Sequence, residues 1–373
     1  MKILMICYEY PPIGGGGSKV VNGLTRELVR QGHQVDLVTM HFKGLPVFEK
    51  KDGLNIYRIR CLRLKSNICT PAEMVTYIVS ALPFLIKLTQ KNKYDINHTH
   101  FIYPDGILAY ILKKITGVPF IITAHGSDVP GYNPNRFKLL HKLIIPLWKR
   151  IVKNSLRVIC SSKSLQELVL KIDRNAVIEL IPNGINLKKF SQNEEKKKQI
   201  LVVSRMFERK GVQYFLNAIQ ELDHGFKVNV VGDGPYLLSL MKQARELKLN
   251  VNFHGFIDNK SEALKNLYES SRIFVFTSEA ENFPIVLLEA MSAGLAIITT
   301  DNSGCAEVVG DTALLVPPKN STAIRDALLK LVEDPELCKK LGQAARLRVE
   351  QEFGLESTTK KHEALYKKVL SVR

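Results

Sequence analysis

The chain has 373 residues, of which 45% are hydrophobic and 24% charged, and its formal net charge is +17. That length is too great for one ordinary core and predicts about two domains, while the apolar fraction excludes a disordered chain. The charge is lopsided, with 26 Lys and Arg against 12 Asp and Glu in residues 1–184, so a polyanionic partner, nucleic acid or an anionic membrane, is expected for the first half only.

Residues 3–7 read as a first strand, and the absence of a small-residue cleavage site argues against a secretion signal. Helical periodicity follows over 18–31, a strand over 34–39, another strand from Ile56, and a long helix over 72–91. The apolar run 75–88 is interrupted by Thr76, Ser80, Pro83 and Lys87 and falls short of the roughly 20 residues that a spanning helix needs. Next come a strand at 96–98, a helix at 106–116, a strand at 120–123, a basic helix at 136–154 and a strand at 157–160. A second series has strands at 200–204, 227–231, 251–254, 273–277, 296–299 and 313–316. Its helices start at Val212, cover 236–248 and 261–269, and follow Pro284. Strands alternating with helices predict α/β sheets with crossover connections, and two such series predict two Rossmann-like domains. The polar run 186–198, after Pro182-Asn183-Gly184, sets the boundary, giving domains at 1–185 and 186–354. A charged helix over 355–373 ends the chain.

Six cysteines (Cys7, Cys61, Cys69, Cys160, Cys305, Cys338) are scattered, with neither a disulfide framework nor metal-ligand spacing. This fits a reduced, cytoplasmic compartment. The chemistry-bearing residues follow strands, where open α/β sheets bind ligands. Glu281 lies in the loop before the Pro284 helix and Glu289 in its second turn, with only uncharged residues between them. Two carboxylates beside an apolar helix need hydrogen-bonding partners, and a polyhydroxyl ligand would serve. Helix capping by Glu281 and a solvated face for Glu289 are the alternative. Gly14 to Gly17, between a strand and a helix, either cradle an anion or form a flexible turn. Arg205 and Lys210 follow the first strand of the second series, as either ordinary solvated cations or charge-assisted donors to an anion. His125, in His125-Gly126-Ser127-Asp128, ends a strand, as does Gly232 in Val231-Gly232-Asp233-Gly234-Pro235. His98 and His100 are either structural or acceptor-binding. The stretch 136–150, mixing cations with Leu, Ile and the sole Trp, fits either a bilayer interface or a core helix with snorkelling lysines.

Glu281 and Glu289, followed by Ala290-Met291-Ser292-Ala293-Gly294, resemble the signature of the retaining glycosyltransferases of family 4. The other motifs recur in the family's order over essentially the whole chain. The resemblance implies the GT-B fold: two Rossmann-like domains facing across a central cleft, with the C-terminal helix crossing back to the first. It implies that Glu281, His125, Arg205 and Lys210 are catalytic. Donor contacts would come from Gly16, Gly17, Gly232, Phe256, Ile257, Phe283, Pro284 and Glu289, the last on the ribose, and Asp128 would orient the acceptor. Cys305 and Ala306 stand where the family often has glycine or proline, which bears on the 303–307 loop. The implied activity moves a hexosyl unit from a nucleotide diphosphate sugar to a hydroxyl of a glycan or glycolipid acceptor, with neither metal nor cofactor. No nucleic-acid partner is expected, and the enzyme would be cytoplasmic, with an anionic membrane surface as a further partner. Alternatives are a soluble small-molecule acceptor and a nucleotide-sugar epimerase of the same fold.

Overall fold

A computed structural model describes residues 1–66, 68–132, 138–191, 195–220 and 225–371. The chain divides into two units, Met1–Gly184 with Leu355–Arg373, and Ile185–Gly354. The first runs β1 (Lys2–Ile6), α1 (Gly16–Arg30), β2 (Gln34–Met40), β3 (Phe48–Lys51), β4 (Leu54–Ile59), α2 (Pro71–Lys91), β5 (Ile96–His100), α3 (Asp105–Thr116), β6 (Phe120–Thr123), α4 (Lys138–Asn154), β7 (Val158–Cys160), α5 (Lys163–Ile172) and β8 (Ile178–Leu180). The second runs β9 (Lys197–Val203), α6 (Val212–Ala218), β10 (Lys227–Val231), α7 (Leu237–Glu246), β11 (Val251–Phe253), α8 (Glu262–Ser270), β12 (Ser271–Phe276), α9 (Ile285–Ser292), β13 (Ala296–Thr300), α10 (Ser303–Val309), β14 (Leu314–Val316), α11 (Ser321–Glu333) and α12 (Pro335–Glu352). The final helix, α13 (Leu355–Ser371), belongs to the first unit.

The first sheet is ordered β3-β4-β2-β1-β5-β6-β7-β8, parallel except for the antiparallel edge pair β3–β4. The second, β11-β10-β9-β12-β13-β14, is parallel throughout. Both are doubly wound. The strand order reverses beside β1 and β5 in the first sheet and beside β9 and β12 in the second, which opens a crevice at those carboxyl ends. Parallel strands covered on both faces read as continuous buried runs, and β5, β6 and β13 are buried at every position.

Several elements differ from the sequence expectation for identifiable reasons. The helix α1 starts at Gly16, two residues before the expected Ser18, because its first turn is built from glycines that carry no helix signal. The edge strand β3, with the exposed sequence Phe48-Glu49-Lys50-Lys51, lacks the apolar alternation that would reveal it. The apolar stretch in α2 was expected to be too short to span a membrane. The helix has 21 residues and is long and apolar enough to cross one by length and composition. One face of it packs into the core of the first unit. Thr70 and Glu73 close a capping box around Pro71, and Tyr77, Ala81 and Leu85 are fully buried at i, i+4 spacing.

The basic stretch 136–150 lies partly outside the described residues, as do residues 192–194 of the boundary run. In the described part of α4, Trp148 is buried and donates through Nε1 to the Asp128 carbonyl at 3.1 Å. The tryptophan is a core anchor of the first unit and not an interfacial residue, a correction to the bilayer reading.

Candidate functional site

In the second unit, two loops at the switch point are stitched together. The amide of Glu279 donates to the Arg209 carbonyl at 2.9 Å, the Arg209 guanidinium to the Ala280 carbonyl at 3.1 Å, and Thr277 Oγ1 to the Gly211 carbonyl at 3.0 Å. Gly211 has φ +71, and a Cβ there would lie 2.1 Å from the Thr277 carbonyl oxygen, so only glycine permits this approach. The stitching places Lys210 Nζ in an ion pair with Glu281 Oε1, to which Ser278 Oγ also donates at 2.6 Å. The two side chains are 8% and 13% exposed. Burial opposes ionisation of Glu281, but the Lys210 charge and the hydrogen bonds from Lys210 and Ser278 outweigh it and hold the carboxyl below its usual range. Arg205 stands exposed on the same β9 loop, its guanidinium 5.4 Å from the Phe207 ring.

Glu289 is 1% exposed in the second turn of α9, a helix buried on nearly all sides. Its Oε1 accepts from Lys189 Nζ at 2.7 Å and Asn259 Nδ2 at 2.9 Å, and its Oε2 from the Tyr268 hydroxyl at 3.1 Å. The expectation of a solvated alternative for Glu289 therefore fails. Lys189, Asn259 and Tyr268 were not singled out from the sequence, because they are 100, 30 and 21 residues away and no local pattern links them. Ser278, three residues before Glu281 on the exit from β12, was a local signal that could have been read.

The remaining donor-side expectations are placed as follows. Gly232 has φ +137, and a Cβ would lie 1.7 Å from the Ser204 carbonyl oxygen, so it locks the β10 loop against the β9 loop. Its amide donates to the Gly255 carbonyl at 2.8 Å, tying in the loop that carries Phe256 and Ile257. The Phe256 side chain is 76% exposed, while Ile257 packs on the core. Phe283 turns inward and meets Phe353 edge-on at 5.4 Å, and Pro284 is the N-cap of α9, so both can offer a ligand only backbone. The departures Cys305 and Ala306 do not disturb the neighbouring loop. Gly304 N donates to the Glu281 carbonyl at 2.9 Å, and Cys305 is buried in α10.

In the first unit, Gly14 (φ +96) closes the turn after β1, and α1 begins at Gly16 with neither a capping side chain nor an acid in its first turn. A Cβ at Gly16 would meet nothing within 4 Å, whereas one at Gly17 would lie 2.9 Å from the Phe101 ring and 3.3 Å from His125 Nδ1. His125 therefore sits against the start of the helix. Its ring also lies tilted against Phe101 at a centroid distance of 4.3 Å, and its Nε2 is 3.1 Å from His100 Nδ1. His100 Nε2 in turn meets Met5 Sδ at 3.1 Å. A thioether can only accept, so His100 carries its proton on Nε2, His125 donates from Nε2, and the Nδ1 of His125 is left as an acceptor. Burial holds His125 down to about 4 and His98 and His100 well below the ordinary value, so the rings are neutral at pH 7.

Asp128 was expected to orient an acceptor. Both its oxygens are already engaged, Oδ1 by the His125 amide at 2.9 Å and Oδ2 by the Ile102 amide at 2.7 Å. Burial pushes its carboxyl up to about 6 against those hydrogen bonds. Asp128 positions the His125 loop. Among the described residues, no group of three or more His, Cys, Asp or Glu is arranged to hold a metal.

Residues 14–189 match the model of Glycosyltransferase Family 4 and residues 185–348 that of Glycosyl transferases group 1. The chain is 30% identical to an uncharacterized glycosyltransferase of Methanocaldococcus jannaschii, with 98% of each chain covered. It is 28% identical to N-acetyl-alpha-D-glucosaminyl L-malate synthase of Bacillus anthracis, over 99% of this chain and 97% of that one. It is also 28% identical to the UDP-Gal:alpha-D-GlcNAc-diphosphoundecaprenol alpha-1,3-galactosyltransferase of Escherichia coli, over 69% and 72%. The fold superposes on sucrose-phosphate synthase from Thermosynechococcus elongatus with a TM-score of 0.85 at 23% identity, covering all of both chains. Two doubly wound units, matched in turn by both family models, place the chain in glycosyltransferase family 4: it is a hexosyltransferase of the GT-B fold that acts with a nucleotide sugar.

Proposed function

We propose that this enzyme retains the anomeric configuration of its donor, works without a metal, and delivers a hexosyl unit to a hydroxyl of a lipid-linked or surface-glycan intermediate. The observation that carries this reading is the buried Lys210–Glu281 pair at the β9/β12 switch point, with Arg205 on the same loop. A departing nucleoside diphosphate needs positive charge, and Lys210 and Arg205 supply it as charge-assisted donors without a Lewis acid. Glu281, held ionised, accepts hydrogen bonds from sugar hydroxyls. Glu289 receives the ribose by exchanging one of its bonds from Lys189 or Asn259. In the first unit, the free amides at the start of α1 and the Nδ1 of His125 address the transferred sugar, with Asp128 fixing the loop. No side chain is placed as a covalent nucleophile in this scheme, so departure and attack share one face of the sugar.

Support for the acceptor class comes from the basic first half of the chain and from the lipid-linked acceptor in the name of the Escherichia coli relative. A small soluble acceptor is the second reading, favoured by L-malate in the name of the Bacillus anthracis relative. A nucleotide-sugar panel with both acceptor types tests the scheme. The expected product keeps the donor's anomeric configuration by NMR and forms equally in chelator. Glu281→Gln should lower kcat about a hundredfold or more with an unchanged melting temperature. An inverted product, loss of activity in chelator, or undiminished turnover by the variant would each remove the corresponding part.

A further inference from the structure

Among the described residues, the outer face of α2 exposes two large aliphatic side chains. Val75 and Val79, one helical turn apart, are 52% and 68% exposed. The segment leading into the helix is fastened beside them: the amide of Leu62 donates to Thr76 Oγ1 at 3.2 Å and that of Leu64 to Glu73 Oε1 at 2.7 Å. Both leucines then point outward, 47% and 73% exposed. Scattered exposed leucines are ordinary, but here four large aliphatic side chains stand exposed on a helix and on the segment hydrogen-bonded to it.

The unpaired charges on the segments that carry these side chains have one sign. The acids of residues 41–91 are Glu49, Asp52 and Glu73. Glu49 pairs with Arg58, Asp52 with Arg26, and Glu73 is buried under the amides of Leu64 and Thr70. Exposed Arg60 and Lys65 on the 60–66 segment, and Lys87 on α2, carry no ion pair among the described residues. Exposed apolar side chains with unpaired cations on the same segments complement a bilayer whose headgroups are anionic, where apolar side chains enter the acyl boundary and each cation meets a phosphate. The same segment adjoins the glycine turn, since Gly14 N donates to the Ser66 carbonyl at 2.8 Å and Arg63 pairs with Glu9 at 3.5 Å.

We propose that the outer face of α2 and the 60–66 segment dock this enzyme on an anionic membrane, with the glycine turn before α1 close to the lipid headgroups. This rests on the lipid-linked acceptor proposed above and names the surface that would reach it. The test is sedimentation of the full chain with phosphatidylcholine vesicles, with and without phosphatidylglycerol. The expected result is binding to the anionic vesicles only, released by high salt. A Leu64→Glu/Val79→Glu double variant and an Arg60→Gln/Lys65→Gln double variant should each bind at least tenfold more weakly, with unchanged melting temperature and unchanged transfer to a water-soluble acceptor. No sedimentation of the wild type, or equal sedimentation of wild type and variants, overturns the proposal. So does a wild-type dimer by light scattering that the glutamate variant turns into a monomer, because the patch would then face a second copy. Vesicle binding needs no donor, so its survival in a protein that transfers no sugar would reject the functional reading and leave the surface intact.

Discussion

A neutral imidazole with one fixed lone pair is a different reagent from one that is free to change tautomer. Met5 and His100 impose that choice on His125 through two consecutive 3.1 Å contacts, and burial keeps the ring unprotonated. Replacing His100 with Phe removes the acceptor for the His125 Nε2 proton, whereas Asn returns an oxygen at nearly the same place. His100→Phe should lower kcat about tenfold, the worth of one hydrogen bond, and mix the Nδ1-H and Nε2-H forms of His125. His100→Asn should restore most of both. The 15N shifts of the His125 ring report the tautomer, and equal spectra in all three proteins would show that His100 has no such part. The sequence displayed His125 and its Gly-x-Asp setting, but it could not display this relay. Met5, His100 and His125 sit on three different elements, and only the β1–β5–β6 register makes them neighbours.

At the level of elements, glycine placement decides how the loops of the second unit lie. Gly232 and Gly255 both have positive φ, yet a Cβ at Gly232 would lie 1.7 Å from the Ser204 oxygen and one at Gly255 would meet nothing within 4 Å. Gly255→Ala should therefore cost only the left-handed backbone penalty, about 1–2 kcal/mol. Gly232→Ala must in addition separate the β9 and β10 loops, and should unfold at clearly lower urea or lose nucleotide binding. Equal denaturation midpoints and equal affinities would contradict the interlock. These elements also mark what was legible. Long buried strands and periodic helices, such as β6, β10 and α2, were readable because hydrophobic pattern and structure agree. The strands β3 and β8 were not, since short edge strands carry little buried surface. Glu281 in the loop before α9 and Glu289 on that helix were readable from their spacing, and the Glu289 partners Lys189, Asn259 and Tyr268 were not, because tertiary packing alone unites them.

For the molecule as a whole, the buried histidines of the first unit couple stability to pH. Burial holds His362 near 3 and His125 near 4, and His98 and His100 also lie well below the ordinary value. Below about pH 6.5 the unfolded chain takes up protons at these rings and the native protein does not, so stability falls as pH drops towards 4. Asp128, raised to about 6, acts in the opposite sense between about pH 6 and 4, as does Asp105, which burial also raises. Four rings outweigh two carboxyls. The melting temperature should be lower at pH 5 than at pH 7, and His362→Gln should shrink the difference; a melting temperature that rises on acidification would refute the balance.

Chain length and two strand–helix series had already pointed to two units. The observed division, Met1–Gly184 with Leu355–Arg373 and Ile185–Gly354, moves the expected first boundary by one residue. The role of the Lys210–Glu281 pair is tested most directly by a crystal structure of the protein with a nucleotide sugar. The expected density places the diphosphate within hydrogen-bond distance of Lys210 Nζ and the Arg205 guanidinium, with a sugar hydroxyl on Glu281. A bound nucleotide that leaves all three side chains untouched would contradict it.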